Sequence, residues 1–251
     1  MLFRKALKPN IFYLPETGST NSYAIEMLTK ARPDEGSVII TDHQTNGKGT
    51  DSKTWESEKG KNLTFSIILY PTITADKQFL LNKAISLGIC NSLRAELNQD
   101  DITIKWPNDI YIADKKVCGI LIQNSIIGNH FDYMVIGIGL NINQTAFLSD
   151  APNPVSPRQI TGKEYDLEKL LENLLKSVLE KYLQVLSGQE LLIENEYYNA
   201  IYRLMEWHEF LINGIKTIAR ITGTNEYGQL ILETESGLLL KCDLKEVKFI
   251  I

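Results

Sequence analysis

Two segments of the chain carry residue types whose spacing could support chemistry on an anion or a polar ligand. Residues 44–50 read Gln-Thr-Asn-Gly-Lys-Gly-Thr. Because glycine has no Cβ and tolerates positive φ, such a loop can bring backbone N–H groups and Lys48 close to a phosphate or a carboxylate. The spacing fits neither a P-loop nor a dinucleotide-binding fingerprint. Anion binding and a solvated loop therefore stand as alternatives.

The second segment, residues 105–116, begins with Lys-Trp-Pro-Asn-Asp. A strand that runs into a Pro-Asn turn and re-emerges at Asp109 places an ammonium and a carboxylate close together. Asp109 could hold Mg²⁺ or orient a ligand amine, and Lys105 or Lys116 could neutralise charge that develops on a phosphoryl group. The alternative is an ordinary hairpin turn, in which Asn108 and Asp109 serve only the backbone conformation.

Residues 19–21 (Ser-Thr-Asn) precede a helical pattern, and Asn141 follows a run rich in glycine and isoleucine. Ser19 or Thr20 can cap the helix, or both can offer hydroxyl groups at its positive end to a carbonyl-bearing ligand. Asn141 either ends a strand or reaches a nucleotide. The histidines stand alone in the sequence, and no Ser-His-Asp or Cys-His order supports nucleophilic catalysis.

Composition excludes several classes of protein. With 43% apolar and 23% charged residues, the 251-residue chain is that of an ordinary globular protein. Its formal charge of −5 gives no basic footprint for nucleic acid or for an anionic membrane surface. Three cysteines within apolar stretches indicate buried thiols in a reducing compartment. No apolar run approaches about 18 residues, so we expect a cytoplasmic protein without nucleic-acid or membrane partners.

The elements that must position these residues follow from hydrophobic periodicity. Helical spacing after Thr20 ends before Pro33, and apolar runs bounded by turn residues predict strands that pair as an antiparallel meander. Residues 42–61, in which Trp55 is the one apolar side chain, predict a long functional loop. After a first strand that begins about ten residues into the chain, the predicted strands are 36–41, 62–70, 102–106, 110–113, 117–124 and 133–143, and the predicted helices are 20–31, 76–97, 167–186 and 190–205.

The pattern changes in the tail. From residue 209 to residue 251 short apolar runs alternate with Asn-Gly and Ser-Gly turns, which predicts four or five strands, no helix and a small barrel. We therefore expect an α+β fold, with a mixed or antiparallel sheet and flanking helices in residues 1–206. A separate C-terminal barrel is expected in residues 207–251.

Four separated segments, taken in order, resemble the biotin protein ligases, ATP-dependent enzymes that attach biotin to a lysine of a carrier domain. They are residues 19–21, residues 44–49 with 55–57 and 60–63, residues 105–116 with 119–121, and residues 135–141. Each segment alone is unspecific, whereas the ordered set is specific and spans nearly the whole chain. The predicted barrel matches the SH3-like C-terminal domain that such ligases carry.

The resemblance implies a role for each matching residue. Biotin would contact Ser19, Thr20, Asn21, Gln44, Gly47, Lys48, Gly49, Thr50, Lys116, Gly119 and Leu121. The nucleotide would contact Lys48, Trp55, Asn108 and Asn141. The catalytic residues would be Lys116, beside the biotin carboxylate and the α-phosphate, and the nearby Asp109. The resemblance also implies ATP and biotin as substrates, Mg²⁺ as cofactor, and a biotin carboxyl carrier domain of a biotin-dependent carboxylase as partner; it assigns no protein metal ligand.

The loop departs from the family pattern at two positions. Lys48 and Thr50 stand where the family usually has arginines. Lysine keeps the charge without the bidentate fork that matches phosphate, and Thr50 removes a cation. We therefore expect weaker retention of the reactive biotinyl adenylate than in arginine-bearing relatives.

Two other functions stay open at this point. One is a lipoate or octanoate ligase or transferase of related fold, and the other is a biotin-binding protein with weakened catalysis. About ten residues precede the first expected strand, too few for the helix-turn-helix with which some family members repress transcription, so we expect no operator binding. The meander must have edge strands, and pairing them across a two-fold axis makes a homodimer possible.

Overall fold

A seven-stranded mixed sheet organises residues 11–140 in a computed structural model that describes residues 7, 9–49, 54–149 and 152–251. Its strands are β1 (Ile11–Leu14), β2 (Val38–Thr41), β3 (Leu63–Leu69), β4 (Ile102–Lys105), β5 (Asp109–Ile112), β6 (Lys115–Ile127) and β7 (His130–Leu140). They lie in the order β1-β2-β3-β7-β6-β5-β4. The pair β1 and β2 is parallel, and the other pairs are antiparallel.

The meander predicted for residues 102–143 is confirmed. Strands β4 to β7 are consecutive antiparallel neighbours, because short turns rich in Asn, Asp and Gly connect them. In the register of the two longest strands, Gly119 faces Gly139 and Leu121 faces Gly137. Directly opposed residues point to the same side of a sheet. The pairing therefore brings three glycines together at the centre of one face.

Helices cover both faces of this sheet. Within the described residues they are α1 (Thr20–Lys30), α2 (Gln78–Leu97), α3 (Pro157–Thr161), α4 (Leu167–Leu186) and α5 (Glu190–Ala200). Helices α2, α4 and α5 form the main core with one face, and α1 packs on the other face against Ile39, Ile68 and Val135. Every residue of β3 is buried, because the strand lies between the two layers. In the described part of the chain no helix is both long enough and apolar enough to cross a membrane.

The end of α5 differs from the prediction. The helix stops at Ala200, whereas its apolar spacing continues to about Met205. The reason is tertiary: the Tyr202 N–H donates to the Ile104 carbonyl at 3.0 Å, and Ile201 bridges to Ile104. Leaving the helix early lets the chain cover the otherwise unpaired edge of β4.

The C-terminal residues form a second sheet of five antiparallel strands. These are β8 (Trp207–Ile212), β9 (Ile215–Thr224), β10 (Leu230–Thr234), β11 (Leu239–Cys242) and β12 (Val247–Phe249), in the order β11-β10-β9-β8-β12. The prediction of short strands without a helix is confirmed. Among the described residues β11 and β12 do not pair with each other, so the sheet is consistent with an SH3-like fold but does not close into the predicted barrel.

The cysteines behave as the composition predicts. Cys90, Cys118 and Cys242 are free and buried. Burial raises the pKa of the Cys90 thiol to about 11, and burial likewise raises the pKa of the Cys118 thiol. Both groups are therefore neutral thiols that pack as small apolar side chains.

Candidate active site

A cleft that is open to solvent lies over the glycine positions of the large sheet. Most residues that the sequence singles out line it: Ser19, Thr20, Asn21, Gln44, Lys48, Gly49, Trp55, Asp109, Lys116, Gly119 and Leu121. The other lining residues are Thr64, Ile120, Gly137, Ile138 and Gly139. Thr50, a predicted biotin contact, lies outside the described residues. The cleft therefore gathers five separate parts of the chain: residues 19–21, residues 44–49 with 55, residue 64, residues 109–121 and residues 137–139.

Glycines form the floor of the cleft because other atoms approach them too closely for a side chain. A Cβ at Gly139 would lie 2.4 Å from Cε2 of Trp55, and one at Gly119 would lie 3.0 Å from Cζ3 of the same ring. At Gly137 a Cβ would lie 2.3 Å from Oδ1 of Asn21. The Trp55 indole therefore packs directly on Gly119 and Gly139, and the Asn21 side chain packs on Gly137.

The segment that carries Trp55 forms a flap, defined here as residues 47–49 with 54–55. The Trp55 N–H donates to the Gly47 carbonyl at 3.0 Å, and Lys48 bridges to Thr54. A Cβ at Gly47 would lie 2.6 Å from the Trp55 carbonyl oxygen, which explains the glycine there. Lys48 reaches Oγ of Ser22 with its Nζ at 3.3 Å. The predicted loop is thus a narrow hairpin at its base.

Glu56 anchors the base of the flap to the chain that follows β7. Its carboxylate accepts hydrogen bonds from the backbone N–H groups of Leu148 (2.9 Å) and Ser149 (2.7 Å) and from Nε2 of Gln144 (3.2 Å). Partial burial acts to raise the pKa of Glu56, but the hydrogen bonds from Ser149, Leu148 and Gln144 outweigh it and hold that pKa below its usual value. The flap is therefore tied down by an ionised carboxylate.

One end of the cleft, the neutral end, is built from hydroxyl and amide groups at the start of α1. Oε1 of Gln44 accepts hydrogen bonds from the Thr20 N–H (2.8 Å) and hydroxyl (3.2 Å). This leaves Nε2 of Gln44 as the donor that it can offer a ligand. Ser19 occupies the N-cap position, but its side chain makes no capping hydrogen bond. Ser19 instead lines the cleft.

Asn21 lines the cleft and also ties α1 to the sheet. Its Nδ2 donates to the Leu121 carbonyl (3.1 Å) and to Oε1 of Gln123 (3.0 Å), and its Oδ1 accepts from the Ser66 hydroxyl at 2.6 Å. The Ser66 oxygen also lies 2.7 Å from Oγ1 of Thr20. Helix α1 is thereby fastened to β3 and β6, and the neutral end is fixed before any ligand arrives.

The other end of the cleft, the charged end, is formed by the β5–β6 region. Nζ of Lys116 lies 2.6 Å from Oδ1 of Asp109, and each side chain keeps about a quarter of its surface exposed. The same ammonium lies 5.9 Å from the centroid of the Trp55 ring. Lys105, the other lysine that the sequence offered, instead lies over the rings of Phe249 (4.4 Å) and Tyr111 (5.5 Å). Of the two lysines, Lys116 is the one that lines the cleft.

Two predicted nucleotide contacts do not line the cleft. Asn108 donates from Nδ2 to the Ile120 carbonyl at 3.1 Å, which holds the hairpin turn against β6. Asn141 donates from Nδ2 to the Val155 carbonyl at 3.1 Å. Its buried Oδ1, however, has no hydrogen-bond partner among the described residues, and the same holds for Nε1 of Trp55. Buried polar atoms of this kind need an explanation such as a ligand or a water.

Several residues of the site have no role in the sequence prediction. Gly137 and Gly139 carry a recognisable signal, because glycine inside a strand often marks a close approach. Ser66 and Gln123 carry none, since a polar residue in a strand is ordinary. Their importance arises from hydrogen bonds to Asn21, which lies far away in sequence.

Comparison with solved structures gives the class of the fold. A biotin protein ligase from Aquifex aeolicus, solved in complex with biotin and ATP, is similar with a TM-score of 0.78 and 26% sequence identity. The match covers 95% of this chain and 97% of that one. The similarity therefore includes both sheets.

The sequence comparison gives the family. The sequence model of the biotin/lipoate A/B protein ligase family matches residues 13–141, and the chain belongs to this family. The bifunctional ligase/repressor BirA of Bacillus spizizenii is 29% identical over 246 residues, which cover 91% of this chain and 71% of that protein. The biotin–[acetyl-CoA-carboxylase] ligase of Mycobacterium tuberculosis is 24% identical over 172 residues, which cover 67% of this chain and 62% of that protein. The resemblance carried by the four segments is confirmed.

Proposed function

We propose that the protein is an ATP-dependent biotin protein ligase, which activates biotin as biotinyl-5'-AMP and transfers it to a lysine of a carrier domain. One observation carries the proposal. A single cleft with a floor of glycines has hydrogen-bonding groups at its neutral end and the ion-paired Lys116 at its charged end. Family membership and similarity to the Aquifex aeolicus enzyme support it.

The neutral end favours biotin over lipoate. A ureido ring presents one carbonyl acceptor and two N–H donors, which match the hydroxyl and amide groups of Ser19, Thr20 and Gln44. A dithiolane ring has no such groups. It would offer no acceptor to Nε2 of Gln44, the donor that the internal hydrogen bonds leave over, and a buried group without a partner costs about 1–3 kcal/mol.

The charged end suits formation of an acyl adenylate. One oxygen of the biotin carboxylate attacks the α-phosphorus of ATP, and the bond from that phosphorus to the bridging oxygen of the leaving pyrophosphate breaks. Both reactants are anions, so the protein must offset their repulsion. Lys116, together with Lys48 of the flap, supplies positive charge where negative charge develops. Trp55 covers the glycine floor and keeps water away from the mixed anhydride.

Transfer to the carrier uses the same site. The lysine nitrogen of the carrier bonds to the acyl carbon, the acyl–oxygen bond breaks and AMP leaves. The amine must lose a proton, and Asp109 is our candidate to accept it. The Mycobacterium tuberculosis relative is named for acetyl-CoA carboxylase. We propose a biotin carboxyl carrier domain of a biotin-dependent carboxylase as the partner of this chain.

The protein groups available to Mg²⁺ and to the nucleotide are few. Asp109 is the one carboxylate among the described residues that line the cleft, and the described residues contain no cluster of three His, Cys, Asp or Glu. A single carboxylate fits Mg²⁺, which is usually held by substrate phosphates, waters and one or two carboxylates. When bound, this ion neutralises phosphate charge. Asn141 stays a predicted nucleotide contact, because its Oδ1 has no hydrogen-bond partner among the described residues, although the residue itself does not line the cleft.

An assay of pyrophosphate release and acyl-AMP formation tests the proposal. The purified protein is incubated with ATP, Mg²⁺ and either biotin or lipoate, and we expect turnover that depends on biotin. Turnover with lipoate alone would identify a lipoate ligase. Retained biotin binding by calorimetry, without turnover, would identify a binding protein with weakened catalysis.

A further inference from the structure

The turn of the β4–β5 hairpin, residues 106–108, is held from outside the cleft. Trp106 is 3% exposed, and its indole Nε1 donates to the Gly228 carbonyl at 2.8 Å. Gly228 lies in the turn between β9 and β10 of the C-terminal sheet. The two sheets are therefore joined through the turn that leads directly into Asp109.

The acceptor side of this contact is rigid. Oδ1 of Asn225 accepts hydrogen bonds from the N–H groups of Tyr227 (3.1 Å) and Gln229 (2.9 Å), which closes the turn. Gly228 has a φ of +88°, in the region that favours glycine, and a Cβ there would lie 2.7 Å from the Phe79 ring. The position of the Gly228 carbonyl is thus set by its own turn and by α2.

A second set of contacts holds the same turn. Phe79 packs edge-on against Tyr197, with ring centroids 6.1 Å apart, and the Tyr197 hydroxyl donates to the Pro107 carbonyl at 3.4 Å. The buried Lys83 lies over both rings, at 5.0 and 5.3 Å from their centroids, and pairs with Glu194. The turn is therefore enclosed by α2, α5 and the C-terminal sheet.

The turn determines where Asp109 lies. Lys105 and Asp109 are paired across the hairpin, so residues 106–108 are the whole connection between them. Asp109 in turn lies 2.6 Å from Lys116. A shift of the Trp106 side of the turn would carry Asp109 with it, and misplacement of a reacting group by about 1 Å can cost about 100-fold in rate.

We propose that Trp106 is a positioning residue for adenylation: through its hydrogen bond to Gly228, the C-terminal sheet fixes the hairpin that presents Asp109 to Lys116. The inference rests on the proposed function for its effect on rate. The contact itself is independent of that function, so the two can fail separately.

Substitution of the acceptor glycine gives the sharpest test. In Gly228→Ala the new Cβ strains a backbone φ of +88° and meets the Phe79 ring at 2.7 Å, so the turn that carries the carbonyl or the ring beneath it must shift. The matched control is Gly237→Ala, since Gly237 has a φ of +80° in another turn of the same sheet but has no atom within 4 Å of its Cβ position. We expect Gly228→Ala to lower kcat for biotin-dependent pyrophosphate release by about 10- to 100-fold, with KM for biotin within about twofold of wild type. Gly237→Ala should retain the wild-type kcat.

Substitution of the donor approaches the same bond from the other side. Trp106→Phe keeps an aromatic ring and removes the N–H. Its control is Tyr182→Phe, which removes a buried hydroxyl that donates to Glu35 at 2.5 Å, far from the hairpin. Because Trp106→Phe and Gly228→Ala break one contact, the double variant should be no slower than the slower single variant. The proposal would be overturned if Trp106→Phe lowered kcat no more than Tyr182→Phe does, or if it raised only KM for biotin and left kcat unchanged.

Hydrogen exchange provides a readout that does not depend on turnover. We expect Gly228→Ala and Trp106→Phe to raise amide exchange in residues 109–112, whereas Gly237→Ala and Tyr182→Phe leave it unchanged. Unchanged exchange in those residues for all four variants would overturn the inference. If the wild-type protein released no pyrophosphate with biotin, the proposed function would fail, and the exchange comparison would still decide whether the C-terminal sheet holds the hairpin.

Discussion

At the neutral end of the cleft, Thr20 and Asn21 of α1 share a hydrogen-bond network with Gln44, which follows β2, and with Ser66 of β3. At the charged end, Lys116 and Asp109 instead form one ion pair on a hairpin, each about a quarter exposed. The neutral end is satisfied internally, whereas the charged end depends on an exchangeable partner and on support from the C-terminal sheet.

This difference assigns different tasks to the two ends. Fixed hydroxyl and amide groups recognise a neutral ring with little reorganisation, so their loss should weaken ligand binding and raise KM. The partly exposed ammonium of Lys116 can exchange the Asp109 carboxylate for a phosphate oxygen of the reacting nucleotide, so loss of Lys116 should lower kcat. Substitutions matched between the two ends can break or sharpen this comparison.

The largest effect is expected from Lys116→Ala. Removal of the cation at the charged end should lower kcat for pyrophosphate release by about 10²- to 10³-fold, because the charge of the transition state loses its nearest fixed positive partner. The control is Lys115→Ala, the exposed lysine one residue earlier on β6. Thermal melting of both variants checks that the fold is intact. Wild-type turnover by Lys116→Ala would refute the assignment of the charged end.

A smaller effect is expected from Ser66→Ala at the neutral end. Loss of the hydroxyl that holds Asn21 and Thr20 should raise KM for biotin by about 5- to 10-fold, the equivalent of one hydrogen bond, with little change in kcat. The control is Ser37→Ala, which is equally buried and donates to the Asp34 carbonyl at 2.7 Å away from the cleft. Equal biotin KM values for the two variants would contradict the role given to this network.

The smallest effect concerns the base of the flap and depends on pH. Hydrogen bonds hold the pKa of Glu56 below its usual value, so the ionised form stabilises the folded state at pH values above the unfolded-state pKa of about 4.3. That contribution should be lost as the pH falls through the lower, folded-state pKa.

Comparison of wild type with Glu56→Gln measures this contribution. Between about pH 5 and pH 3 the melting temperature of the wild type should fall by about 2–4 °C more than that of the variant, which has no charge to lose at this position. If the melting temperatures of the two proteins fell equally between about pH 5 and pH 3, the charge of Glu56 would not be what stabilises the base of the flap.

Much of the architecture was predictable because its signals are local. The period of apolar residues and the turn residues between them predict the meander of β4 to β7 and helix α4, both of which the structure has. The glycines and lysine of residues 47–49 indicate a close approach to a ligand. A local pattern gives a wrong prediction where a residue far away in sequence pairs with the segment. At the end of α5, for example, the apolar spacing predicts more helix, but pairing with Ile104 ends the helix at Ala200.

The sequence by itself determined the family, the order of the elements and the residue types present at the site, because motif spacing and hydrophobic period are properties of neighbouring residues. Only the tertiary structure decided that Lys116 rather than Lys105 lies in the cleft, that Asn21 fastens α1 to the sheet, and that Trp106 joins the hairpin to Gly228. Those outcomes depend on strand register and on side chains about 100 residues apart meeting at hydrogen-bond distance, which no local pattern encodes.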